Sequence, residues 1–292
     1  QTAVDVFNKA IDIYKGLNEN NKANLISLNI AKVYSDAYKH DIALELYFNL
    51  LNNHRSTLSD QAIAEISAGI ADIYDYQEDF DNSLHYYNEA LAKAIKATNL
   101  AIASKACFKI ALIYDDLGEV NKAIEFYSKN IEITDNYSIN PYLSASYANI
   151  AAIYEEQNEK TKSIEYYKKS LKVDRETQNY DGEYKTLSKL GNIYFEQNNA
   201  QKALAYFHES LKAAKLSNDP YNIATSYLEI GDTYFALNSF KNALKSYILA
   251  RKNIDHTIST DSKEKIDRRF RQIANKLGEK KFHEVVNSLR KK

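Results

Sequence analysis

Six tyrosines stand forty residues apart: Tyr34, Tyr74, Tyr114, Tyr154, Tyr194 and Tyr234. Their surroundings repeat with them. Ile30-Ala31-Lys32-Val33-Tyr34 returns as Ile70-Ala71-Asp72-Ile73-Tyr74 and again as Leu190-Gly191-Asn192-Ile193-Tyr194. A fixed period in this range marks supersecondary units stacked into a solenoid. It overrides the one or two globular domains that length alone would favour.

The second half of each unit repeats as well. Nine residues after each tyrosine comes a small residue: Ala43, Ser83, Ala123, Ser163, Ala203 or Ala243. Four further on comes an aromatic: Tyr47, Tyr87, Tyr127, Tyr167, Phe207 or Tyr247. Four beyond that stands Leu51, Leu91, Ile131, Leu171 or Leu211, with Arg251 breaking the last copy. Steps of four put these side chains on one stripe of a helix. Each unit is therefore two amphipathic helices, A and B. The turn between them holds Gly118, Asn158, Asn198 and Asn238, residues that tolerate the left-handed conformation ending a helix; Tyr38 and Glu78 are exceptions. The small residue on helix A (Ala31 to Gly231) lets helix B approach closely. The tyrosine three positions later is expected to fill the wedge between the helices, its hydroxyl finding a partner.

This order of small residue, tyrosine, Gly-like turn, alanine and aromatic resembles the tetratricopeptide repeat over nearly the whole chain. The common unit of that family has 34 residues and a proline closing helix B. Here the unit has forty and no such proline, similar to the variant in Pins-type adaptors, kinesin light chains and bacterial Rap regulators. The resemblance implies an all-α fold, a right-handed α-solenoid superhelix with helix A on the concave face and helix B on the convex one. One solenoid over residues 1–292 is expected. It comprises a half repeat at 1–18 with helix B only, then six full repeats at 22–58, 59–98, 99–138, 139–178, 179–218 and 219–258, then a degenerate cap at 262–292.

The ends depart from the repeat. Ala3, Val4, Phe7 and Ile11 fall on helix-B positions with no helix A before them, and the chain begins with Gln1 and contains no Met. These features read as a fragment or processed product. Val4, Phe7, Ile11 and Tyr14 then form an apolar face that is unpaired or covered from outside this chain, which favours self-association or fraying. At the other end Phe270, Ile273 and Ala274 supply a helix A without its tyrosine, and Phe282, Val285, Val286 and Leu289 a short helix B, as suits a cap. Pro141 and Pro220, the only prolines, stand where a helix A begins.

Several function classes are disfavoured. No apolar run is long enough to span a membrane. Residues 261–292 carry eleven Lys/Arg against five Asp/Glu, but interleaved, which reads as a solvated cap. No basic stripe follows the repeats, so no specific nucleic acid is expected. The six histidines are scattered without metal-ligand spacing, and no phosphate loop or nucleophile elbow occurs. The acidic pairs Asp115-Asp116 and Glu155-Glu156 recur with the repeat, as a solvated surface does. No enzyme, cofactor, metal or catalytic set is predicted. Cys107 excludes an intrachain disulfide and reads as a small buried hydrophobe. Localisation stays open, with the cytoplasm favoured. Abundant Asn, Lys, Ile and Tyr point to an AT-rich, bacterial genome.

What remains is binding. The helix-A positions expected to face the groove include Asn29, Lys32, Asp72, Tyr76, Lys105, Lys109, Leu112, Asn149, Glu156, Lys185, Lys189, Asn192, Glu196 and Asp232. They vary from repeat to repeat while the core stripe does not. Asparagines there can both donate to and accept from a peptide backbone. Lys105, Lys109, Lys185 and Lys189 recur two repeats apart and form a candidate anion-accepting strip. Against the family's carboxylate-clamp members, Asn149, Lys185 and Lys189 match, but Phe108 and Leu112 occupy the first two clamp positions and do not. The expected function is a protein-interaction scaffold holding a peptide or partner segment, acidic in character. The alternative is a regulatory or sensor module of a bacterial signalling protein, answering to a peptide or small ligand.

Overall fold

The period of four on each stripe produces helices throughout. The computed structural model describes residues 3–17, 19–134, 141–253 and 260–290. Among them are fifteen α-helices and no strand. The chain divides into two compact units, residues 1–146 and 147–292. The first contains α1 (Ala3–Gly16), α2 (Asn20–Asp36), α3 (His40–His54), α4 (Asp60–Tyr76), α5 (Phe80–Lys96), α6 (Leu100–Asp116) and α7 (Val120–Thr134). The division falls inside α8 (Leu143–Glu156). The second continues with α9 (Lys160–Glu176), α10 (Tyr180–Glu196), α11 (Ala200–Ser217), α12 (Pro220–Ala236), α13 (Phe240–Asn253), α14 (Thr260–Leu277) and α15 (Glu279–Arg290).

The A–B turns are built alike in both units. The residue four after each repeat tyrosine takes a left-handed φ of 55–72°, and this includes Tyr38 and Glu78. The next N–H reaches back to the tyrosine carbonyl, as in Lys39 to Tyr34 and Asn199 to Tyr194, both at 2.9 Å. This closes the helix by the Schellman arrangement, satisfying a carbonyl that the helix end would leave orphaned. Asp79, Asn99, Asn179, Asn199 and Asp219 then cap the following helices, their side-chain oxygens accepting from the backbone N–H three residues on.

The core differs from the expectation in one respect. The rings packed at the centre are those of helix B: Tyr47, Tyr87, Tyr127, Tyr167, Phe207 and Tyr247, each at most 2% exposed. They lie over the small residue of helix A. A Cβ on Gly231 would come within 2.6 Å of the Tyr247 ring, and one on Gly191 within 2.5 Å of Phe207. The forty-residue tyrosines of helix A are only half-buried. They pack on a second helix-B aromatic twelve positions on, stacked in Tyr74 with Tyr86 and Tyr194 with Tyr206 and tilted in Tyr114 with Phe126 and Tyr154 with Tyr166. They thus lie between A and B but at the edge of the wedge, because the small residue makes room on the side where the other ring enters. Lys122, Lys162 and Lys202 lie over the rings of Tyr114, Tyr154 and Tyr194 at 4.8–4.9 Å.

At the N-terminal end Phe7 is exposed while Ile11 and Tyr14 are half-buried; Val6, Ile13 and Leu17 are exposed as well. The Val4 side chain lies outside the described residues. In the second unit Ile273 is fully buried, and Phe270, Phe282, Val285, Val286 and Leu289 pack against the same cluster, so α14 and α15 close it. No helix among the described residues is long and apolar enough to cross a membrane.

Candidate functional site: the helix-A faces

The buried helix-B ring and the helix-A face are joined by a hydrogen bond. Tyr87 donates to Asp72 at 2.6 Å, Tyr167 to Glu155 at 2.8 Å and Tyr247 to Asp232 at 2.8 Å. Burial, reinforced by these carboxylates, pushes all three phenols well above their ordinary pKa. Each ring therefore stays neutral, and its carboxylate partner is held on the helix-A face.

A second regularity runs between successive A helices. Lys32 pairs with Glu65, Asp72 with Lys105 at 2.5 Å, and Asp232 with Lys265 at 2.9 Å. In each case the partners are thirty-three residues apart and hold the same two repeat positions, although the sign of the charges reverses between the first pair and the others. One turn further along, Asp75 pairs with Lys109 at 2.8 Å and Glu155 with Lys189 at 3.7 Å, thirty-four residues apart; Arg269 lies over the Phe235 ring at 4.7 Å. A separation seven short of the period means that neighbouring A helices are offset by about two turns. Such half-exposed pairs contribute at most about 1 kcal/mol each. They do set the positions of the side chains along the face.

The predicted residues divide between the units. In the first, Asn29 and Tyr76 are exposed and Leu112 half-buried, while Lys32, Asp72, Lys105 and Lys109 are engaged in the pairs above. In the second, Asn149 is half-buried and partnered, Glu156 is exposed, and Glu196 accepts from Lys160 at 2.9 Å. Lys185 and Lys189 are more exposed than Lys105 and Lys109. Ala152 occupies the position that would pair with Lys185, which turns instead to Asp181 on its own helix, at 2.7 Å. Asp232 takes Tyr247, Lys265 and Arg269. The four lysines of the predicted strip thus fall two in each unit, and each already lies near a carboxylate.

One residue of this face was missed. Glu229 occupies the position of Asn29, Lys109, Asn149 and Lys189, so the register that selected those four would have selected it too. It accepts from Ser188 and from Asn192 at 3.4 Å, and its Oε2 is buried without a hydrogen-bond partner. Burial raises its pKa above the usual carboxylate value, against the opposing effect of the Ser188 and Asn192 hydrogen bonds.

Other features offer less chemistry. Cys107 is fully buried, and burial pushes its thiol up to about 12. No group of His, Cys, Asp and Glu among the described residues has metal-binding geometry. A cleft of about 730 Å³ in the first unit, open to solvent, is lined by Asn99, Ser104, Lys105, Thr134 and Tyr142 among others.

No curated protein matches the chain. Solved structures with the same fold are numerous. A signal transduction ATPase (STAND) with a tetratricopeptide repeat sensor, from Pyrococcus horikoshii, aligns with a TM-score of 0.67 at 18% identity, covering 84% of this chain and 39% of that one. The C-terminal part of a repeat-containing protein from Cytophaga hutchinsonii aligns at 0.61 with 14% identity, covering 90% and 93%. The apo form of RapI aligns at 0.59 with 19% identity, covering 79% and 98%. At these identities the likeness concerns the fold alone. The sequence model of the tetratricopeptide repeat matches residues 101–176 and 183–253, half of the chain. Matched helices on both sides of the unit division, forty residues per hairpin, with a small residue on A under a buried ring on B, place the chain in the tetratricopeptide repeat family.

Proposed function

We propose that this chain is a protein-interaction scaffold rather than a catalyst, and that its helix-A faces carry the contacts. One observation supports this most. At a single register of helix A the residues read Asn29, Gly69, Lys109, Asn149, Lys189, Glu229 and Arg269, while the helix-B core ring is tyrosine in all but one repeat. A constant scaffold carrying different chemistry at each step suits a surface that reads an extended partner residue by residue. Asn29, exposed on this face, can bond a peptide backbone in both directions.

The acidic-partner reading belongs to the second unit. Residues 147–292 carry 26 Lys/Arg against 19 Asp/Glu, and Lys185 and Lys189 have 67% and 54% of their side chains exposed. Lys105 and Lys109 are both paired with carboxylates of the preceding repeat and are less exposed, at 31% each. A carboxylate-bearing segment therefore has two cations to engage on α10, four residues apart on one helical face. Affinity capture from the native host with the chain and its Lys185→Glu/Lys189→Glu variant, read by mass spectrometry, tests the reading. Loss of a defined set of proteins with an unchanged melting temperature is expected; identical sets from both would contradict it.

A sensor reading is supported by the open cleft beside Lys105 and Tyr142, which has room for a small ligand, and by the likeness to the repeat sensor of the STAND protein. A small molecule co-purifying at stoichiometric amount would favour it over the scaffold.

A further inference from the structure

Two copies of the repeat break the pattern of the A–B turn, and both place a tyrosine in solvent. The left-handed turn position is Gly or Asn in four repeats, yet in the first it is Tyr38, at φ 56° and 73% exposed. A bulky side chain is disfavoured there, since its Cβ crowds the following carbonyl. The last position of helix A is Asp36, Asp116, Glu156, Glu196 or Ala236 elsewhere, but Tyr76 in the second repeat, 65% exposed. The two departures meet. The Tyr38 and Tyr76 rings lie 6.0 Å apart, and His40 packs 4.9 Å from Tyr76 and 5.9 Å from Tyr38. Neither ring nitrogen of His40, both buried, has a hydrogen-bond partner. Neither the turn nor the core needs these rings, because the other repeats do without them. Their cost falls on a turn that Asn or Gly would close better.

Of the charged residues next to the cluster in the chain, all but Lys39 are acidic. Asp36, Asp41, Glu78 and Asp81 are exposed and make no ion pair among the described residues. The nearby cations are committed elsewhere: Lys39 lies over the Tyr34 ring at 5.8 Å, and Lys109 pairs with Asp75. The whole first unit follows the same sign, with 12 Lys/Arg against 20 Asp/Glu, a net of −8.

We infer that the Tyr38–His40–Tyr76 cluster is a docking site for a basic, arginine-bearing segment of a partner protein. A guanidinium is planar and weakly hydrated and stacks on tyrosine faces, while its N–H groups are matched by carboxylates at the rim. The site lies in the first unit and takes the charge opposite to that assigned to Lys185 and Lys189, so it stands independently of that reading.

The test uses the full chain and a fluorescein-labelled Arg-Gly repeat peptide, read by anisotropy, with the citrulline-Gly peptide as neutral isostere. The variant is Tyr38→Asn with Tyr76→Ala, residues that other repeats carry at the same places, so the fold is kept. The arginine peptide should bind saturably and the citrulline peptide should not. The variant should bind at least about tenfold more weakly, as expected for losing one or two stacked cation contacts. Its melting temperature should be equal or higher, because Asn relieves the turn. Absence of saturable binding by the wild type, or equal binding by the variant, would overturn the inference. So would a wild-type dimer in sedimentation that the variant renders monomeric, which would assign the rings to a second copy of the chain.

Discussion

The two units share one construction and differ in charge. In each, a fully buried helix-B ring sits on a small helix-A residue and donates its hydroxyl to a helix-A carboxylate, as in Tyr87 with Asp72 and Tyr247 with Asp232. Yet residues 1–146 sum to −8 and residues 147–292 to +7. On the helix-A face, Lys105 and Lys109 are tied to carboxylates one repeat back, whereas Lys185 is tied only within its own helix and Lys189 stands 3.7 Å from Glu155. The contrast separates two roles of the same position. At the position of Lys105 and Lys185 a lysine joins successive repeats or is offered outward according to the residue thirty-three before it, Asp72 in one case and Ala152 in the other.

At the core the two units should behave alike. Tyr87→Ala and Tyr167→Ala should each cost about 3–5 kcal/mol in denaturant melts, as emptying a large core site does. The half-buried Tyr74 and Tyr154 should cost about 1–2 kcal/mol when replaced by alanine, in proportion to the apolar area they cover. Equal losses for helix-A and helix-B rings would mean that the burial pattern is misread.

The units should next diverge at their lysines. Lys105→Glu with Lys109→Glu sets like charges against Asp72 and Asp75, and should lower stability by about 1 kcal/mol or somewhat more. Lys185→Glu with Lys189→Glu should leave the melting temperature nearly unchanged and instead reduce binding of an acidic segment. Raising salt from 0.1 to 1 M shortens the Debye length from about 10 to about 3 Å and should weaken that binding further.

A smaller difference is expected with pH. Burial raises the pKa of Glu229, so its protonated form favours the folded state. That contribution is present below the ordinary carboxylate pKa, about 4.3, and is lost as pH rises through the folded value. Glu229→Gln should therefore raise the melting temperature at pH 7, and the gain should fade towards pH 4. A gain constant across pH would show that Glu229 does not titrate differently in the folded state.

The helices, their pairing and the turns were legible because each rests on a local pattern: steps of four, a small residue, a turn position. The depth of each ring was not. Tyr154 and Tyr167 both recur with the full period, and periodicity does not say which ring enters beside the small residue. The inter-repeat ion pairs were hidden for a related reason. They depend on the offset between successive A helices, a tertiary quantity that no single helix carries. Glu229 was within reach, since it shares a register with Asn149 and Lys189. The boundary between the units is marked by no linker in the sequence, because it falls inside α8. Tyr38 was legible as an exception at its turn and Tyr76 as a residue of the helix-A face, but only their packing on His40 joins them.

Lys105 joins successive repeats while Lys185, its equivalent two repeats on, pairs only within its own helix. A labelled acidic peptide titrated into the full chain tests this difference directly, alongside the Lys105→Glu/Lys109→Glu and Lys185→Glu/Lys189→Glu variants. The prediction is that affinity falls at least about tenfold for the second variant and by less than about threefold for the first. Equal losses for both, or none for the second, would contradict it.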